Sequence, residues 1–335
     1  MTVNVRDVLP RDAIPSVDNP AFGDAYDWSP DDEVIAVTFA DPPRAYPVRF
    51  LQFHEIVNDA VGGATDASKK GSTDESGADP IAVTWCPLCG SGIVYDRTHA
   101  GRTLEFGVSG KLADDDLVMY DRETGSEWKQ STGECIAGAF EGDSLVVRPA
   151  ALLSVREFRE SFPDGVVLRP PGGESEAASP DDEPVPIDYD ASPYEEYASG
   201  EGFGLAAHRG TNGRREWGRT DDLDPKTVVL GVEVDDDALG FPVPRVRAAG
   251  GVVRTTVGDR DVVVFATDEG EAHAYADPGY DFAVTDTGVT ADGTTWGPAT
   301  GVAADARRLE RLPTRRLYAF AWRDDHGPDA FYRAD

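Results

Sequence analysis

Two of the three cysteines in this 335-residue chain stand three apart, in Val83-Thr84-Trp85-Cys86-Pro87-Leu88-Cys89-Gly90. That spacing lets both sulfurs face one centre, which suits either one metal ion or one disulfide. A tetrahedral site needs further ligands, and the chain has no second Cys-x-x-Cys. The available donors are His54, Cys135, His99 and Met119, or solvent. His54, in Phe53-His54-Glu55, is the best of them. His99 lies in the turn-like Thr98-His99-Ala100-Gly101 and reads as surface. Cys135 reads as a small buried residue and Met119 as core, although a thioether would matter if the ion were copper(I).

The rival chemistry is thiol exchange, with Cys86 attacking and Cys89 resolving. Trp-Cys-x-x-Cys is similar to the thioredoxin-like motif, in which a helix N-terminus activates the first thiol. Here Gly90-Ser91-Gly92-Ile93-Val94-Tyr95-Asp96 reads as a turn into a strand, so no helix dipole is expected and metal is preferred. Cys-Pro-Leu-Cys-Gly also resembles the knuckle of rubredoxins and zinc ribbons, where a Gly after the second Cys permits the backbone to turn. A second polar set, Ser126, Trp128 and Gln130, alternates at strand spacing after the hairpin signal Asp121-Arg122-Glu123-Thr124-Gly125. With Met119 it is the candidate pocket lining.

The elements that position these residues read as mainly β, α+β with few short helices. Short β-branched runs bounded by Gly and Asp recur at 34–39, 81–85, 117–120, 252–257 and 262–265. The period of Phe50, Phe53, Ile56 and Val57 predicts a helix over 49–58. Ser154, followed three residues on by Glu157, is a capping box opening a helix over 154–162. Residues 64–79 and 170–202 are polar and aperiodic, an insertion and a linker.

The chain also repeats itself. Arg44-Ala45-Tyr46-Pro47-Val48 returns as Leu239-Gly240-Phe241-Pro242-Val243, and later Tyr95 aligns with Tyr275, Trp128 with Trp296 and Gly133 with Gly301. Glycines and aromatics recur, whereas Cys86, Cys89 and His54 become Ala266, Glu269 and Ala249. Residues kept in both copies serve packing; those found once are candidates for chemistry. The expected organisation is two tandem homologous β-rich domains from an internal duplication. These are 1–170 with the Cys-x-x-Cys site, an acidic Pro/Gly-rich linker over 171–225, and a degenerate copy over 226–335.

The formal charge is −31, from 62 acidic and 31 basic residues, of which only five are lysine. Such an acid excess, spread along the chain, fits a salt-adapted, haloarchaeal-like source. In multimolar salt the Debye length is roughly 3 Å or less and self-repulsion is screened. No basic stripe is present to displace counterions from nucleic acid. No apolar segment is long enough to span a membrane, and the N-terminus has no basic-then-apolar leader pattern. The expectation is a cytoplasmic protein with reduced thiols.

Several motifs in one order are similar to the family catalogued as domain of unknown function 3179. They are Tyr46-Pro47, His54-Glu55-Ile56-Val57-Asn58-Asp59, Thr84-Trp85-Cys86-Pro87-Leu88-Cys89-Gly90, Phe106-Gly107-Val108-Ser109-Gly110 and Asp121-Arg122-Glu123-Thr124-Gly125-Ser126-Glu127-Trp128. The resemblance implies no activity. Its pattern includes the His-Glu segment and the Cys pair, which fits His54, Cys86 and Cys89 acting together; Cys135 departs from it, where a small residue is usual. The expectation is therefore a metal-binding protein with a Cys/Cys/His site for zinc, iron or copper, acting on an unknown small-molecule or protein partner. The alternatives are a thiol–disulfide oxidoreductase, or a non-catalytic interaction protein with a structural metal knuckle.

Overall fold

The computed structural model describes residues 3–62, 78–179, 183–218, 223–266, 272–285 and 288–333. The polar stretch 64–79 lies outside them, apart from its last two residues. The chain is mainly β, with short helices between strands.

β-Branched runs became strands where the sequence places them. Ile81 to Trp85 lies inside the strand Ala78–Cys86, and the run at 252–257 is the strand Val252–Val257. Strands Ile56–Gly62, Ala78–Cys86 and Ser91–Asp96 form an antiparallel meander. Its outer edge continues through Arg315–Tyr318, Val228–Val234 and Asp237–Pro242, so one hydrogen-bonded sheet runs through both halves of the chain. A second sheet packs Val5–Asp7, Phe106–Ala113, Asp116–Asp121, Glu127–Lys129 and Cys135–Ala137 side by side. Between the two lies an apolar core containing Ile93, Tyr95, Phe106, Met119 and Trp128, together with both Cys86 and Cys89.

The same order of elements occurs twice. Strand Arg44–Pro47 enters helix Val48–His54 through Pro47 at φ −60°, ψ 126°; strand Asp237–Pro242 enters helix Val243–Ala248 through Pro242 at φ −60°, ψ 122°. Each is followed by a three-stranded meander, the second being Val252–Val257, Arg260–Ala266 and Ala272–Ala276. The Tyr95 hydroxyl donates to the Gln130 carbonyl at 2.6 Å, and that of Tyr275 donates to the Pro298 carbonyl at 2.6 Å.

The first helix is shorter than its period suggests. It ends at His54, because Glu55 turns to φ 58°, and Ile56 and Val57 begin a strand instead. The second helix, Val155–Ser161, starts where the capping box places it, with Ser154 Oγ accepting from Glu157 N at 3.1 Å. Residues 171–225 carry short elements and buried rings: Tyr189, Tyr197 and Phe203 are all in the core. Among the described residues, no helix is long and apolar enough to cross a membrane.

Candidate metal centre

Two hairpins bring three ligand-type side chains together. Cys86 pairs with Ser91 at the end of one hairpin, so Pro87-Leu88-Cys89-Gly90 is its turn, and Gly90 takes φ 54°. No helix follows. A side chain at Gly90 would press on Tyr318 and Arg316, and the Tyr318 N–H donates to the Cys89 carbonyl at 2.7 Å. The last strand of the chain thus fixes the thiol turn from outside.

The second hairpin joins Phe106–Ala113 to Asp116–Asp121 through Asp114 and Asp115, both at positive φ. A two-residue loop of that kind matches the natural twist of antiparallel strands. It delivers Asp116 as the first residue of its strand, facing inward and 2% exposed. The ligand atoms of Cys86, Cys89 and Asp116 all lie within 4.8 Å of one another, and all three residues are buried. Such a group can hold a metal ion.

Electrostatics show what the group lacks. Burial pushes the Cys86 thiol up, and the nearby Asp116 and Glu55 carboxyls push it further. Cys89 is raised more strongly, by burial and then by Cys86 and Asp116. Asp116 is pushed up to about 6 by burial, with Asp325 adding to the rise and Lys129 opposing it. One Asp116 oxygen, Oδ2, accepts from Ser131 N at 2.7 Å; the other, Oδ1, is buried with no hydrogen-bond partner. Cys89 Sγ sits 3.5 Å from the Asp115 carbonyl oxygen. Three desolvated acids, one of them with an orphaned oxygen, form a place that a cation would stabilise.

Beside this group opens a cavity of about 630 Å³. Cys86, Pro87 and Leu88 form part of its floor and Leu9, Ile14 and Val108 part of its apolar wall. Much of the opposite wall comes from residues 176–209, inside the segment that reads as a linker. Tyr197 donates to the Leu88 carbonyl at 2.7 Å, and Ser175 Oγ donates to the Phe53 carbonyl at 2.8 Å, tying that wall down. Glu55 also faces the cavity. Burial, with Glu176 and Asp116 nearby, pushes its carboxyl up to about 8.

The other candidates lie elsewhere. His54 is 3% exposed; its Nδ1 is 2.9 Å from the Pro15 carbonyl oxygen and its Nε2 is 2.7 Å from the Tyr189 hydroxyl. Both ring nitrogens are engaged away from the thiols, and Asp116 takes the third place in the group. Met119 and Trp128 face each other across paired strands in the core, with Trp128 Nε1 donating to Asp121 Oδ2 at 3.0 Å. Ser126 Oγ is 2.6 Å from Thr124 Oγ1, and Gln130 Nε2 donates to Thr84 Oγ1 at 2.8 Å. None of these four lines the cavity. Cys135 is buried with its Sγ 3.3 Å from the Ala137 carbonyl oxygen, and His99 Nε2 lies 3.0 Å from Asp143.

Asp116, Glu55 and the wall supplied by Glu176 to Ser179 and Pro186 to Arg209 are the features of the candidate site that sequence reasoning missed. Asp114-Asp115 between apolar runs is a hairpin signal, but in so acidic a chain it did not stand out. Glu55 follows the His that drew attention.

Fold and site together define a mainly β protein with two thiols and a carboxyl group buried beside a cavity. The chain belongs to the family described as protein of unknown function (DUF3179), whose model matches residues 11–67 and 72–330. No curated protein and no solved structure matches it.

Proposed function

We propose that this protein binds one transition-metal ion through Cys86, Cys89 and Asp116, with a further coordination position open toward the cavity. The observation that carries the reading is the convergence of those three buried ligand atoms within 4.8 Å, the Oδ1 of Asp116 itself having no hydrogen-bond partner. Two thiolates favour zinc or iron over magnesium or calcium, and the carboxylate oxygen makes copper(I) a poorer match. Binding would displace the protons that burial now holds on these groups. An open position facing a cavity gives Lewis-acid or redox chemistry on a bound small molecule, which favours a metalloenzyme over a structural knuckle.

The raised thiols weigh against the thiol–disulfide alternative, since the thiolate is the nucleophile. We also infer that the two halves descend from a duplication, supported by their matching helix entries and tyrosine-to-carbonyl bonds. The degenerate copy keeps the packing and not the ligands. The acid excess supports adaptation to concentrated salt.

The test is elemental analysis of the full chain purified anaerobically, beside Cys86→Ser, Asp116→Asn and His54→Asn. About one equivalent of metal in the wild type and in His54→Asn, lost in the first two variants, is the expected outcome. No metal in any sample, with Cys86 and Cys89 oxidising reversibly to a disulfide, overturns the reading in favour of redox chemistry.

A further inference from the structure

The Glu55 side chain is used neither by the fold nor by the metal group. Its backbone is committed: its N–H donates to Leu51 O at 2.8 Å, and its carbonyl accepts from Trp85 N at 2.8 Å. These bonds hold it at φ 58°, a conformation that bulky residues rarely adopt. The side chain is 7% exposed and faces the cavity, and among the described residues its carboxylate has no hydrogen bond or ion pair. A strained backbone that aims an unpartnered carboxylate into a cavity is a feature of sites rather than of cores.

The surroundings set the chemistry. Glu176, itself buried, lines the same cavity, as do the exposed Asp188 and Glu196. Two cations also line it, Lys111 and Arg209, and Lys111 is held by Glu127 at 2.7 Å. The ring of Tyr194 forms part of the wall, stacked on His208 at 4.9 Å. An aromatic wall beside the buried Glu55 and Glu176 suits a cationic head group, and the apolar side formed by Leu9, Ile14 and Val108 suits a hydrocarbon body.

We propose that the cavity binds an organic amine, its ammonium against Glu55 and its apolar body along the Leu9–Ile14–Val108 wall. An ammonium would stabilise the ionised form of the Glu55 carboxyl, which a neutral ligand cannot do, and an anionic ligand would add a like charge. The proposal goes beyond the metal reading and does not depend on which ion, if any, sits at Cys86.

The experiment is isothermal titration of the full chain with three probes of one body: cyclohexylmethylamine, cyclohexylmethanol and cyclohexanecarboxylate. The amine is expected to bind at least about tenfold more tightly than the alcohol, and Glu55→Gln to abolish that preference while keeping the alcohol's affinity. Equal binding of amine and alcohol overturns the proposal, as do preference for the carboxylate and binding of none of the three. Metal content is measured on the same samples. If Glu55→Gln loses metal, Glu55 belongs to the ion and the proposal fails. If the wild type holds no metal yet prefers the amine, only the metal reading fails. Glu55→Asp, which keeps the charge, should retain part of the preference and excludes a mere folding defect.

Discussion

Arg315 donates to the hydroxyl of Tyr95 at 2.8 Å, joining the last strand of the chain to the strand that follows the thiol turn. The same guanidinium, 6% exposed, reaches the Ser131 carbonyl at 2.9 Å and Glu233 at 2.6 Å. One buried cation therefore ties both halves to the loop that also donates to Asp116. Arg315→Ala should destabilise the fold by about 3 kcal/mol, the lower part of the range for a broken buried pair, because Glu233 keeps some access to water. Denaturant titration checks this, and a loss below about 1 kcal/mol would show the pair to be decorative.

Glu233 adds a pH signature. Burial pushes its carboxyl up, but the pull of His326 and Arg315 is greater and holds it at about 2. A depressed carboxyl stabilises the native state above its unfolded value and loses that contribution as pH falls. Stability should decline between about pH 4.5 and 2 in the wild type, and less steeply in Glu233→Gln. Melting temperatures across that window decide it.

Gly133→Ala and Gly301→Ala should cost similar amounts, about 2 kcal/mol or more each, from left-handed strain plus overpacking. Gly133 has φ 73°, and a Cβ there would approach the Tyr95 ring to 2.7 Å; Gly301 has φ 67°, with 2.5 Å to Tyr275. Thermal melts of the two variants provide the comparison. A large loss at one position and none at the other would break the correspondence between the halves.

The inferred correspondence rests on glycine and tyrosine, which leave plain marks in a sequence and pack locally. Strands bounded by Gly and Asp were legible for the same reason, as was the Ser154 cap. The thiol turn was read as a turn without a helix, and the structure has it so. What was not legible depends on distance. Asp116 reaches the thiols only because a neighbouring hairpin twists it inward, and nothing in Asp114-Asp115-Asp116 distinguishes the inward carboxylate from its two neighbours. The segment 170–202 lacks a period because its short elements are held by single anchors, such as Tyr189 on His54 and Tyr197 on Leu88, rather than by a repeating apolar face. Helix 49–58 was overdrawn because Ile56 and Val57 continue an apolar pattern that Glu55 interrupts only through its backbone.

In metal-free protein both thiols of the turn should resist alkylation at neutral pH. Burial raises Cys86 above the ordinary thiol range and Cys89 further, so thiolate forms only at alkaline pH. Thiolate absorbance followed from pH 7 to 11 should rise late, with Cys86 ionising before Cys89. Asp116→Asn removes a negative neighbour of both and should shift both transitions to lower pH. A thiol that ionises below pH 7 in the wild type would instead signal an activated redox pair.

Glu55→Gln should make the protein more stable in mildly alkaline solution. The Glu55 carboxyl is raised to about 8, mainly by burial and then by Glu176 and Asp116, against 4.5 for a free one. For a raised acid the native state holds the proton more tightly than the unfolded chain, so stability is greatest at low pH. It falls as pH rises from about 4.5 to 8, where ionising the group in place is opposed. The amide cannot ionise, so the variant should lose that slope and exceed the wild type above about pH 8. Denaturant midpoints at pH 5, 7 and 9 for both proteins test this. Parallel profiles would mean that water already reaches the carboxylate. A crossing would show a carboxylate kept at the expense of stability, as a group that serves a ligand is kept.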